Sequence, residues 1–248
     1  MTTSIQTATR SSSRFVVLLM LAWVNSSQAE SPLIRQIPEA TQSDELSAQR
    51  QDMESDPELY LRLIGQMQEK NLYFASLAHL DAFDRRWPAN PRSTLLRAEA
   101  LRETTYLDQA GVLYESLLLG PLAAAAHHGL GIIASNKGEV SGALQALTRA
   151  NRLDPTNAAV LNDLGYIQLV LRQWSEAGFN LHKATELDPK NSRAGANLAL
   201  YYLLANQPMR AEGTMNWYRL TDRHRKEIFD KAAALATQLP LKSGGVQK

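Results

Sequence analysis

The sequence contains no cysteine. That excludes disulfides, thiolate metal sites and a lipid-modified cysteine, so stability has to come from packing alone. An excess of either charge is lacking too. The 26 Lys and Arg stand against 25 Asp and Glu, a net charge of +1 that offers no basic field for nucleic acid. Long apolar runs are missing: Phe15 to Val24 is apolar for ten residues, whereas a helix needs about 20 to cross hydrocarbon. The five histidines (His79, His127, His128, His182 and His224) show no H-x-x-x-H spacing, and adjacent His127 and His128 point to different faces of one helix. No G-x-S-x-G nucleophile elbow and no G-x-x-x-x-G-K-[ST] phosphate loop occurs. Neither catalysis, nor a metal, nor a cofactor is expected.

What is present begins at the N-terminus. Arg10 and Arg14 precede the apolar run, and the small residues Ser27 and Ala29 flank Gln28 behind it. A basic start, a short apolar stretch and a small-x-small site form the layout of a secretory signal peptide. Residues 1–29 are therefore expected to be a signal peptide, cleaved before Glu30, with an uncleaved membrane anchor as the alternative. Removing them leaves 24 basic against 25 acidic side chains. The expected location is the periplasm, with no lipid anchor and no membrane span in the mature chain; outer-membrane association would have to come through a partner. Residues 30–55 are polar, with two prolines and few large apolar groups. Such a composition buries too little surface to offset ordering entropy. It predicts a flexible lead-in, with a short helix near Asp44 to Met53; a partner-binding tail is the other reading.

From Asp56 the chain reads as helical and repeats itself. Leu153-Asp-Pro-Thr-Asn157 returns as Leu187-Asp-Pro-Lys-Asn191, 34 residues on. Leu130-Gly131, Leu164-Gly165 and Leu198-Ala199 keep the same step, as do Ala143, Ala177 and Ala211, and Leu147, Leu181 and Met215. Small residues suit the close crossing of two helices, glycines of the first against Ala143 and Ala177 of the second, while the leucines fill the space between. Proline disfavours helical geometry in the residue before it and cannot continue the ladder, so Leu-Asp-Pro ends a helix and the asparagine caps the next.

The period and these positions resemble the tetratricopeptide repeat (TPR), a 34-residue helix-turn-helix unit. Matches to W-x-x-L-G-x-x-Y, A-x-x-x-F-x-x-A and P are fullest in 124–157 and 158–191, where Leu161, Gln168 and Leu181 take the Trp, Tyr and Phe places. Weaker units fall at 57–90, 91–123 and 192–225. The resemblance implies an all-α, right-handed superhelical solenoid of about five units over 56–239. A capping helix at 226–239 and a disordered tail at 240–248 complete the expected organisation.

In that family the first helix of each unit lines a concave, partner-binding groove. Carried over, the lining includes His128 and Ile132 in unit three, Asn162, Tyr166 and Leu169 in unit four, and Arg193 and Leu200 in unit five. Arg92, Glu99, Arg102 and Glu103 give the groove a polar end at unit two. The set differs from the Lys/Asn/Arg clamp with which some members hold a C-terminal carboxylate. It suits an amphipathic helix or an extended peptide. Asn162, Tyr166 and His128 are expected to face the partner; the leucines of unit five are expected either to line the groove or to pack under the capping helix. Units three to five, with LNDLGY followed by R-x-x-x-NLAL, are similar to the TadD component of tight-adherence (Flp) pilus assembly. The similarity implies a non-catalytic envelope scaffold acting on a secretin or another pilus component. The alternatives are a general periplasmic scaffold or chaperone and a repeat subunit of a cell-wall or polysaccharide synthesis complex.

Overall fold

The structure is a computed structural model and describes residues 56–237. The signal peptide expected at 1–29, the lead-in with its short helix, the last two residues of the expected cap and the tail lie outside the described residues. Within them the chain forms eleven α-helices and no strand. These are α1 (Pro57–Glu69), α2 (Tyr73–Arg86), α3 (Pro91–Glu103), α4 (Leu107–Ser116), α5 (Ala123–Asn136), α6 (Val140–Leu153), α7 (Ala158–Val170), α8 (Trp174–Leu187), α9 (Ser192–Leu204), α10 (Pro208–Trp217) and α11 (Asp222–Thr237). Successive pairs up to α9–α10 form antiparallel hairpins stacked in chain order, each in contact mainly with its neighbours.

Asparagine does the capping that Leu-Asp-Pro-x-Asn implies. The Asn157 side chain accepts from the backbone N–H of Ala159 and Val160, and Asn191 accepts from Arg193 and Ala194. Asn90 caps α3 in the same way, reinforced by the Ser93 hydroxyl, which accepts from the Asn90 N–H at 3.0 Å. Within each hairpin one turn recurs five times. Asn71, Thr105, Gly138, Arg172 and Asn206, each the fifteenth residue of its unit, take left-handed φ of 59°, 70°, 75°, 61° and 56°. The N–H of the following residue then donates to a carbonyl five residues back: Leu72 to Met67, Tyr106 to Leu101, Glu139 to Ala134, Gln173 to Gln168 and Gln207 to Tyr202. This is the Schellman stop, which satisfies orphan helix carbonyls and leaves the chain aimed for its return.

Asparagine and glycine tolerate the left-handed region, whereas a β-branched residue is an outlier there. Thr105 is exposed, so Thr105→Asn should stabilise the fold by about 0.5–1 kcal/mol. A melting curve shifted upward by about 2 °C checks it; an unchanged or lower midpoint refutes the strain.

Close helix crossings use the glycines, with one correction to the expected partners. A Cβ on Gly131 would sit 2.7 Å from Leu147 Cγ, and one on Gly165 the same distance from Leu181 Cγ. Each glycine thus faces the leucine one turn beyond the alanine, because that larger side chain reaches across the hairpin. Gly165 also approaches the Ala177 carbonyl. Ala143, Ala177, Leu147 and Leu181 are all buried. The core runs as successive clusters, from Leu61, Ile64, Leu80 and Phe83 at the first unit to Leu198, Leu200, Met215 and Ile228 at the last.

The terminal helix departs from the simple cap. It begins at Asp222, four residues before the expected start, because the Thr221 hydroxyl accepts from the His224 N–H at 3.4 Å. Unlike the other first helices it makes no extensive contact with the second helix before it; it lies against α9. The outer edge of α10 carries Glu212 and Asn216, where unit four has Gly178 and His182 at the equivalent places. Arg225 pairs with Glu212 at 2.8 Å and donates to Asn216 at 2.7 Å. A polar edge holds the start of α11, and its apolar side turns to α9, where it packs in one cluster with Leu169 and Leu200.

Candidate functional site

Helices α5, α7, α9 and α11 together wall a cavity of about 530 Å³ on the face formed by the first helices. Ile132, Tyr166, Ala196 and Ile228 give it apolar sides, and Arg193 and Lys231 bring charge to it. Three of the expected lining residues, Ile132, Tyr166 and Arg193, therefore meet here. Arg193 is exposed, while Ile132 and Tyr166 are half-buried.

Asp163, which the repeat pattern gives no reason to single out, organises the wall. One carboxylate oxygen lies 2.9 Å from His128 Nε2; the other accepts from Arg193 Nη2 at 2.7 Å and from Asn162 Nδ2 at 2.9 Å. Asn197 Nδ2 donates in turn to Asn162 Oδ1 at 2.9 Å. The chain His128–Asp163–Asn162–Asn197, with Arg193, ties units three, four and five through polar groups alone. Asp163 and Asn162 are 6% and 2% exposed; groups buried to that degree need their partners, since an unsatisfied one costs about 1–3 kcal/mol. Both inter-unit contacts of this kind, His128 to Asp163 and Asn162 to Asn197, span 35 residues. A polar pair one repeat plus one residue apart on first helices is the signal that would have found them.

Three expected groove residues stand elsewhere. Asn162 does not face a partner, because its amide is spent on Asp163 and Asn197. Leu169 and Leu200, each 1% exposed, lie in the cluster that includes Ile228 of α11. Of the two arrangements open to the leucines of unit five, the one under the terminal helix is found for Leu200. His128 is half-buried and reaches the cavity through Asp163. Gln168, at the Tyr place of unit four, is buried and accepts from Asn180 Nδ2 at 2.8 Å, so a polar pair replaces the aromatic ring.

The polar end at unit two is equally built. Arg102 pairs with Glu103 at 2.7 Å and donates from Nε to the Tyr114 hydroxyl at 3.4 Å. Burial pushes the Tyr114 hydroxyl up to about 12. It also pushes the Glu99 carboxyl above its ordinary range, with nearby Arg102 and His128 pulling the other way. A carboxyl raised on folding contributes stability in full below its unfolded pKa and loses it as pH rises through the folded value. Glu99→Gln should therefore raise the melting temperature at pH 7, and the gap to wild type should close near about pH 4. A gap of equal size at both pH values would contradict it.

No group of three or more His, Asp or Glu among the described residues is placed to hold a metal ion, and no helix among them is long and apolar enough to cross a membrane. No protein-family model matches the chain. Over 154 residues it is 31% identical to the TPR repeat-containing protein PA4299 of Pseudomonas aeruginosa, across 62% of this chain and 61% of that protein's length. The crystal structure of TTC0263, a thermophilic TPR protein of Thermus thermophilus, superposes with a TM-score of 0.55 at 18% identity, covering 73% of this chain and all of that one. The chain folds as a TPR solenoid. PilF of Pseudomonas aeruginosa is a second structural neighbour of this TPR array, with a TM-score of 0.56 at 16% identity over 74% of this chain and 90% of that one. At such identities the structural likenesses speak to the fold alone. The chain spans about three fifths of the length of the curated relative PA4299.

Proposed function

We propose that the protein is a non-catalytic TPR assembly factor of the bacterial envelope. In this reading it is exported by its N-terminal signal and serves Flp-type pilus biogenesis by holding a secretin or another pilus component in its concave groove. The observation that carries the binding role is the cavity walled by Ile132, Tyr166, Ala196 and Arg193 and braced by Asp163. A half-open hollow that sets apolar side chains beside polar and charged ones can seat a peptide's apolar anchor and pair its polar flank. Support for the pilus comes from the LNDLGY and R-x-x-x-NLAL similarity of units three to five to TadD. Support for export comes from the basic, apolar and small-x-small succession of residues 1–29.

Deleting the gene in its host and counting surface pili and outer-membrane secretin multimers tests the reading. Loss of both, restored by wild type and not by a Tyr166→Arg variant that still folds, is expected. Unchanged pili with a defect in cell-wall or polysaccharide synthesis would move the role to a synthesis complex, and a broad folding defect among envelope proteins would indicate a general chaperone.

A further inference from the structure

Helix α11 occupies part of the very groove that a partner would use. We propose that it is a displaceable internal ligand, and that the partner it yields to is an amphipathic helix of the same chemistry. This rests on the concave face being the binding face. Along one edge α11 presents Ile228, Ala232 and Leu235, spaced i, i+4, i+7, to the cluster holding Leu169, Leu200, Leu203 and Leu204. That spacing is how a helix lies in an apolar groove. At its far end Arg172 donates from Nη2 to the Leu235 carbonyl at 3.1 Å, across 63 residues. A cation on the last carbonyls is the favoured contact for a helix C-terminus. Any helix entering in this direction would meet the same arginine.

Beyond the Arg225 contacts at its start and the Arg172 contact at its far end, little of α11 is buried. Ile228 is its one buried residue. Phe229 on the other side is half exposed, and the ion pairs Arg223–Glu227 and Lys226–Asp230 stay within α11 on its surface. An element so held belongs to the low-stability end of a fold, from which mobile elements are drawn. Release would uncover Leu200 and its neighbours beside Tyr166 and open the cavity on the side that α11 now walls, leaving one longer groove. The partner is then a helix with an aliphatic residue, a small one four further on and an aliphatic one seven further on, its C-terminal end presented to Arg172.

A labelled peptide of the α11 sequence, residues 222–237, is the probe, titrated into the full chain. In the wild type the tethered copy competes at an effective concentration in the millimolar range, so Ile228→Asp and Leu235→Asp should each bind the peptide ~10-fold or more tightly than wild type. Both variants should keep the helical circular dichroism of the array, and hydrogen exchange in the wild type should open α11 before α9. Equal binding by wild type and variants, binding by neither, α11 protected as long as α9, or unfolding of the array by both substitutions would each overturn the proposal. Because no envelope component enters the assay, its failure leaves the pilus reading standing. Peptide binding by the released variants, with pili in the host indifferent to the gene, would instead remove that reading and keep α11 as a displaceable internal ligand.

Discussion

Gly129→Val should lower the stability of the array by about 3 kcal/mol or more, a shift on the order of 10 °C in a domain of this size. Gly129 sits where α5 crosses the ring of Tyr114, and an added Cβ would lie 2.2 Å from Cζ and 2.4 and 2.5 Å from the two Cε atoms. The ring has nowhere to retreat. Tyr114 is 1% exposed, boxed by Ala98, Ala110 and Ala126, with its hydroxyl accepting from Arg102. Overpacking here must push α5 away from α4, at the junction of units two and three. Stacked repeats are stabilised by nearest-neighbour contacts, so the melting curve should also broaden or split as the two halves uncouple. Gly111 in α4 is the control, since a Cβ there meets nothing within 4 Å. Gly111→Ala should stabilise by up to about 1 kcal/mol through helix propensity alone. Differential scanning calorimetry of the two variants checks both signs. A Gly129→Val protein that melts with wild type would mean the helices do not cross at this distance.

Asp163→Ala is expected to be the most damaging polar substitution on the concave face. It strands the Asn162 amide, which is buried, and the ring of His128, which is half-buried, at a cost of about 1–3 kcal/mol. Arg193 adds little to that loss, because its side chain is 69% exposed and regains water when the pair is broken. Arg193→Ala alone should therefore leave the melting temperature near wild type while weakening capture of a groove ligand. Asp163→Ala should lower both. Thermal melts beside a binding titration separate the two. Equal stability of the Asp163 and Arg193 variants would show that the carboxylate is solvated rather than a brace.

The sequence carries the scaffold plainly and the site poorly, and the reason differs by element. Pro, Asn and the crossing glycines act through their own backbone and their own unit, so Leu-Asp-Pro-x-Asn announces a helix end wherever it stands. The groove depends on which side of a first helix is covered. Nine of the thirteen residues of α7 are buried, and a helix buried on nearly all sides leaves no apolar stripe from which to read its free face. Family positions alone therefore place Asn162 toward a partner, whereas the neighbouring unit claims it through Asn197. Asp163 escapes notice for the converse reason, since its importance lies in residues 30 and 35 positions away. The path of α11 is illegible in its own letters. It follows from the polar edge of α10, where Glu212 and Asn216 receive Arg225 instead of a sixth stacked unit.

Site-specific photo-crosslinking in living cells tests the central claim that the concave face binds the partner. A benzophenone side chain replaces Ile132, which lines the cavity, and in a separate strain Phe179, which is 68% exposed on the second helix α8. One discrete envelope adduct is expected from position 132, lost when Tyr166→Arg is added, and none from position 179. An adduct from position 179 with none from position 132 would put the partner on the opposite face and contradict that claim.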